Sequence, residues 1–123
     1  ALTQAVAIYR KSFGKPHYLT GTAEVYLALA LSDLGRTSEA LRQLDDAKVN
    51  YDGSYGKLHP NHGDLLVNRA VILSKAGRDA EARHECSAGL AILETTMGKA
   101  DGFYKSSAAT CASLTSQAAT KSS

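Results

Sequence analysis

The sequence has no tryptophan and few cysteines, prolines, phenylalanines or methionines: two, two, two and one in 123 residues. Cys86 and Cys111 lie 25 positions apart, a spacing typical of neither a disulfide-rich scaffold nor a CxxC metal or redox site. We therefore expect a reducing compartment, with Cys86 as a small buried apolar residue. The residues leave open whether Cys111 faces the helix that carries Cys86.

Charge and hydropathy argue against a nucleic-acid-binding protein and against a membrane protein. Fourteen Lys and Arg against twelve Asp and Glu give a net charge of +2, and no long run of either sign suggests a nucleic-acid or polybasic membrane surface. The longest apolar run, residues 25–31, is too short to cross a bilayer. Residues 1–24 lack the pattern of a signal peptide. We expect a cytoplasmic globular protein with neither nucleic-acid nor membrane partners.

The sequence repeats itself after 42 residues. Aligning residues 13–54 with residues 55–96 gives twelve identities, where chance gives about two or three. The identities include both punctuating and apolar positions: Gly14/Gly56, Lys15/Lys57, His17/His59, Gly21/Gly63, Val25/Val67, Ala28/Ala70, Leu31/Leu73, Ser32/Ser74, Gly35/Gly77, Arg36/Arg78, Glu39/Glu81 and Ala40/Ala82.

Each unit is predicted to be a pair of antiparallel helices. Apolar residues recur at helical spacing, and Gly35 and Gly77 suit the left-handed residue that closes a helix. Thr37 and Asp79 follow as expected N-caps of the second helices. No stretch combines alternating polarity with β-branched or aromatic enrichment, so the prediction is an all-α chain.

The small residues identify a family resemblance. Ala28, Gly35, Ala40 and Ala47, with the large apolar Leu44 between the last two, form a pattern that resembles a tetratricopeptide repeat. Units of 42 residues with an extended second helix and a His-Pro junction, here His59-Pro60, resemble the kinesin light chain type. The resemblance implies a right-handed α-solenoid of antiparallel helix pairs with about six helices.

On this alignment the chain divides into four parts. Residues 1–13 are the second helix of an incomplete unit, 14–55 and 56–97 are whole units, and 98–123 are a further first helix with a Ser/Ala-rich end. An unpaired first segment is expected to expose Leu2, Val6 and either Ile8 or Tyr9. The predicted chain is thus a segment of a longer array.

The candidates for chemistry are weak. His59 and His62 straddle a proline at a junction, and His84 and Cys86 are too close in sequence to share a helical face. A structural role is favoured for His17 and His59, which are equivalent in the repeat. With no nucleophile elbow, metalloprotease, phosphate-loop or dinucleotide motif, we expect neither an enzyme nor a cofactor or metal site.

The predicted function is therefore binding. Tetratricopeptide arrays bind proteins or peptides along a concave face lined by first helices, so the resemblance implies a scaffold segment in a larger regulatory protein. Helical phase predicts the groove residues: Thr22, Val25, Tyr26, Leu29, Asp64, Val67, Asn68, Val71 and Thr110. Val25, Leu29, Val67 and Val71 are apolar, which favours a hydrophobic or helical ligand. The alternative is a structural module that self-associates through its end helices and has no peptide ligand.

Overall fold

The computed structural model describes residues 2–13, 16–56 and 58–122, with all side chains except those of residues 2, 9, 12, 13 and 115–122. The described residues form six helices and no strand, which confirms the predicted all-α class. The helices are α1 (Leu2–Phe13), α2 (Tyr18–Asp33), α3 (Thr37–Tyr55), α4 (Pro60–Lys75), α5 (Asp79–Met97) and α6 (Gly102–Ser122). Within the described part of the chain, none has the length and apolar character needed to cross a membrane.

The helix bounds repeat with the period of the sequence. Helices α2 and α4 each have 16 residues, α3 and α5 each have 19, and corresponding helices begin 42 residues apart. The chain forms two compact units, Ala1–Lys57 and Leu58–Ser123. In unit 1, α2 packs against α1 and α3; in unit 2, α4, α5 and α6 pack against one another.

Glycines close the first helix of each pair as predicted. Gly35 and Gly77 have φ of 78° and 81°, a region that is costly for residues with a Cβ. The Gly35 N–H donates to the Ser32 carbonyl and the Arg36 N–H to the Leu31 carbonyl, both at 2.9 Å. These are the two hydrogen bonds of the Schellman motif, which sets a short turn between antiparallel helices.

The predicted caps at Thr37 and Asp79 are wrong. The second helices begin at these residues, and the N-cap positions belong to Arg36 and Arg78, neither of which makes a side-chain capping bond. Each arginine instead forms an i,i+3 ion pair with a glutamate in the first turn, Arg36 with Glu39 and Arg78 with Glu81. A carboxylate in this turn interacts favourably with the positive end of the helix dipole.

Histidines begin the first helices. His17 and His59 are the N-cap residues of α2 and α4, and their Nδ1 atoms accept hydrogen bonds from the Leu19 and Asn61 N–H groups at 3.2 and 3.1 Å. These bonds satisfy backbone donors that have no intrahelical acceptor. The structural role predicted for the two residues is confirmed.

Small residues allow the paired helices to approach closely. Ala28, Ala40, Ala47 and Ala70 are fully buried, as their positions in the repeat predict. Sequence reasoning did not find the close contact at Gly63: a Cβ placed there would lie 2.7 Å from Leu93 Cγ and 2.9 Å from the Gly89 carbonyl oxygen. The α4–α5 crossing therefore leaves no room for a methyl group.

A polar cluster joins α1, α2 and α3 in the interior of unit 1. Glu24 is completely buried and forms an ion pair with Arg10 of α1. Asn50 Nδ2 donates to Glu24 Oε1 at 2.6 Å, and Asn50 Oδ1 accepts from the His17 N–H at 2.9 Å. Burial raises the pKa of Glu24, and the hydrogen bonds from Arg10 and Asn50 partly offset this. One asparagine thus connects α3 to the start of α2 and to its buried carboxylate.

The cysteines correct the sequence analysis. Cys86 of α5 and Cys111 of α6 form a disulfide, with Cα atoms 5.9 Å apart, so the expectation of reduced cysteines is wrong. Both residues are buried, as expected for Cys86. The motif-based argument missed the pair because its two cysteines come from different repeat units, whereas the spacing rules describe local motifs.

Helix α1 exposes only part of its predicted apolar face. Val6 is 3% exposed, so the expectation that it is exposed is wrong, whereas Ile8 is 59% exposed. The side chains of Leu2 and Tyr9 lie outside the described residues. The packing of α1 against α2 accounts for the difference.

Candidate functional site

One face of α2 carries an exposed stripe of apolar and aromatic residues. Tyr18, Thr22, Tyr26 and Leu29, which we call the α2 stripe, follow one another at spacings of four, four and three residues and so share a helical face. Tyr26 is 57% exposed and Tyr18 40% exposed. Leu29 and Thr22 are half-buried. Three of the four predicted groove residues of unit 1 therefore lie on a surface that a ligand can reach.

The first turn of the stripe belongs to an aromatic cluster. The Tyr18 ring stacks on the His17 ring with centroids 4.7 Å apart, and the Tyr55 ring lies 5.6 Å from that of Tyr18. Tyr51 lies 5.8 Å from Tyr55 and places its hydroxyl 3.1 Å from Thr22 Oγ1. These contacts fix the orientation of Tyr18 and Thr22 before any ligand arrives, which lowers the entropy cost of binding.

Sequence reasoning missed Tyr18. The residue lies outside the apolar periodicity of α2, because its side chain faces solvent. Its spacing of eight residues from Tyr26 is the signal that could have identified it, since this spacing returns to the same helical face.

The structure buries two of the predicted groove residues. Val25 and Val67 are 4% and 5% exposed. Val67 packs against α5: its Cγ2 atom lies so close to Gly89 that a Cβ added to that glycine would be 3.1 Å away. Their apolar side chains contribute to the interior of each helix pair and offer a ligand almost no surface.

In unit 2 the corresponding face is polar. Asp64, Asn68 and Val71 are half-buried on α4. Burial raises the pKa of Asp64, and a hydrogen bond with the Asn68 side chain partly offsets this. An amide held by a carboxylate still has its oxygen available as an acceptor. This face presents hydrogen-bonding groups where the α2 stripe presents rings.

Thr110 lies half-buried on α6. Its hydroxyl donates to the Ser106 carbonyl oxygen at 3.2 Å, a common use of threonine within helices. The donor is therefore already satisfied, and the oxygen of this hydroxyl can only accept.

His59 and His62 lie close together at the start of α4. No group of three or more His, Cys, Asp or Glu side chains in the described part of the chain is arranged to hold a metal ion. Burial lowers the pKa of His59, and the nearby His62 lowers it further. Both effects favour the neutral imidazole that the N-cap hydrogen bond requires.

Unit 2 also contains a pocket of about 270 Å³ between α5 and α6. Leu90, Ala108 and Leu114 contribute apolar walls, Arg83 and Asp79 lie at its polar end, and the disulfide lines it.

No protein-family model matches the chain, and no curated protein matches it. The resemblance to tetratricopeptide repeats rests on the period, spacing and punctuation of the sequence, and it stays a proposal.

Proposed function

We propose that this chain is a protein- or peptide-binding segment of a tetratricopeptide-like array, in which the α2 stripe is the main contact surface. The 42-residue period of the helix bounds supports the array. In this proposal the helix pairs continue as a right-handed solenoid, and the segment serves as a recognition or regulatory part of a larger protein, without catalytic activity of its own.

The exposure of Tyr26 and Tyr18 on one helical face carries the proposal. Tyrosine is enriched in binding surfaces because it supplies a rigid apolar ring with a hydroxyl that can donate or accept. Tyr18 is held by its neighbours, so a ligand would meet a preformed surface.

The chemistry of the stripe indicates its ligand. The two rings and the aliphatic side chain of the stripe, which carries no ionised group, favour a segment with apolar side chains over a charged one. On α4, Asn68 and Asp64 supply hydrogen bonds, which suit backbone groups of an extended peptide.

Selection of binding peptides tests this proposal. We expect a displayed peptide library to yield ligands enriched in apolar residues, and Tyr26→Ala to weaken a selected peptide at least about tenfold because it removes a central ring. Val49→Ala is the matched control, since Val49 is similarly exposed but lies on α3. Failure to select any peptide, or equal affinities for both variants, contradicts the proposal.

The exposure of Ile8 favours a second candidate, self-association through α1. Light scattering distinguishes the two: self-association predicts a concentration-dependent mass that Ile8→Ser removes. A chain that stays monomeric at high concentration leaves this candidate without support.

We propose a cytoplasmic location from the charge and hydropathy of the sequence alone, since the disulfide removes the argument from the cysteines. The Cys86–Cys111 bond argues against this location if it persists in cells, because structural disulfides are uncommon in reducing compartments. The redox state of these cysteines in cells therefore bears directly on the location.

A further inference from the structure

We propose that the Cys86–Cys111 disulfide is a reducible lock that holds α6 on unit 2, so that the redox state of one bond decides whether the α5 surface beneath is covered. The inference does not rest on the proposed peptide-binding function. It starts from position: the bond joins the middle of α5 to the middle of α6, and both cysteines are buried.

Apart from the bonded cysteine, the described part of α6 has few buried side chains. Its buried side chains, among those that the structure describes, are Ser107 and Cys111. Its largest apolar side chain, Phe103, is 42% exposed. Small and hydroxyl-bearing side chains bury little apolar surface, so packing alone stabilises α6 much less than it stabilises α4 against α5.

The sequence of α6 also disfavours an isolated helix. Serine and threonine recur from Ser106 to Ser122, and both are weaker helix formers than alanine or leucine. Helical stability in proteins comes mostly from tertiary packing, so a helix of this composition is marginal in water without such contacts. Once detached, α6 is expected to unfold.

The repeat shows that the bond is an addition to the common architecture. Cys86 aligns with Leu44 of unit 1, which is fully buried, and Cys111 aligns with Arg69 of unit 2. Neither aligned residue is a cysteine. The contact of α6 with α5 corresponds to that of α2 with α1 in unit 1, because each joins a first helix to the second helix that precedes it. The unit 1 contact holds the Arg10–Glu24 ion pair and no disulfide, so the repeat itself does not require the covalent bond of unit 2.

The pocket gives access to the bond. Both cysteines line it, and it is partly open to solvent. A small dithiol can enter: its thiolate attacks one sulfur, the other cysteine leaves as a thiolate and is protonated, and the second thiol of the reagent then displaces the first cysteine. The dithiol is oxidised to a disulfide, and Cys86 and Cys111 are reduced to thiols by the two electrons transferred.

Release of α6 changes the surface of unit 2. Ala82 and Leu90 of α5 share the pocket walls with Ala108 and Leu114 of α6. When α6 departs, these α5 side chains face solvent, and the helical face of α6 that carries Thr110 is lost. The oxidised chain presents one surface and the reduced chain another.

Hydrogen exchange of the whole chain, oxidised and after treatment with dithiothreitol, tests the lock. We expect amides of α6 to exchange about 100-fold faster after reduction, because a loop of this length loses its covalent closure. Amides of α2 and α3 in unit 1 are the internal control and should not change. In the Cys86→Ala/Cys111→Ala variant, α6 should exchange rapidly with or without the reductant.

Two results would overturn the proposal. One is unchanged protection of α6 in the reduced wild-type chain, which would show that packing alone holds the helix. The other is two titratable thiols after incubation with oxidised glutathione, which would show that the bond does not form. Both are measured on the wild-type chain, so they decide the matter even if the double variant fails to fold.

Discussion

At the scale of single residues, Gly63 has the sharpest predicted phenotype. Glycine to alanine in a helix normally stabilises by about 1 kcal/mol. At Gly63 the added Cβ meets Leu93 and the backbone oxygen of Gly89 below 3 Å, and overpacking costs about 1–3 kcal/mol. Because backbone cannot rotate away, the steric cost should exceed the gain, and urea denaturation should show a destabilised unit 2.

Gly102→Ala is the matched control for this substitution. Gly102 begins α6, and nothing lies within 4 Å of an added Cβ there. The control is expected to be neutral or slightly stabilising. If Gly63→Ala is as stable as Gly102→Ala, the close crossing of α4 and α5 is not present in solution.

Residue roles were predictable where they depend on the repeat. The left-handed conformations of Gly35 and Gly77 and the burial of Ala28 and Ala70 all follow from equivalent positions. The burial of Val25 and Val67 was not foreseen, because helical phase alone does not say how far a neighbouring helix extends across a face.

At the scale of helices, Asn50 connects three parts of unit 1 through Glu24 and the His17 N–H. Asn50→Ala should lower the free energy of unfolding by about 1–3 kcal/mol, because it leaves a buried carboxylate oxygen and a backbone donor without this partner. Chemical denaturation measures the change. The neighbouring exposed Val49→Ala is the control, and equal losses from the two substitutions would contradict the role given to Asn50.

Unit 2 suggests how the polar cluster can be replaced. Leu66 and Ile92 stand where unit 1 has Glu24 and Asn50. Replacing both residues by this apolar pair should recover the part of the stability lost in Asn50→Ala that comes from the buried carboxylate, since an apolar pair of similar volume often matches a buried polar one, whereas the His17 N–H still lacks its Asn50 acceptor. A double variant less stable than Asn50→Ala would show that the cluster is needed as a whole.

Helix positions followed from the sequence more closely than contacts between helices did. The predicted parts ended at residues 13, 55 and 97, where α1, α3 and α5 end, because glycine punctuation and apolar periodicity are local. The Glu24 cluster and the Cys86–Cys111 bond join residues from different helices, and no local pattern encodes such pairs. A charged residue within an apolar stripe, as at Glu24, was the available signal.

At the scale of the whole molecule, stability should depend on pH through groups in both units. The pKa values of Glu24 and Asp64 are raised from their ordinary 4.5 and 3.8, so the folded chain retains these protons longer than the unfolded chain. The free energy of unfolding should therefore fall as the pH rises above these ordinary values towards the raised ones. Glu24→Gln/Asp64→Asn should flatten this fall in denaturation curves between pH 4 and 6.

His59 contributes with the opposite sign. Its pKa is lowered from the ordinary 6.5, so the unfolded chain binds the proton first and stability should be lost as the pH falls below about 6.5. His59→Asn retains an N-cap acceptor and should remove this loss. For the Glu24→Gln/Asp64→Asn variant, Asp45→Asn at an exposed position is the control for a simple change of charge. If it flattens the dependence of stability on pH equally, Glu24 and Asp64 are not responsible for the fall.

The helix-closing glycines have a consequence for how the protein is made. Gly35, Gly56, Gly77 and Gly98 follow one another at equal intervals of 21 residues. A ribosome adding about 5–20 residues per second would deliver one finished helix every few seconds, whereas a helix forms in about a microsecond. Within each unit, a helix can therefore pair with the one synthesised just before it, so that the order of translation becomes the order of assembly of that unit.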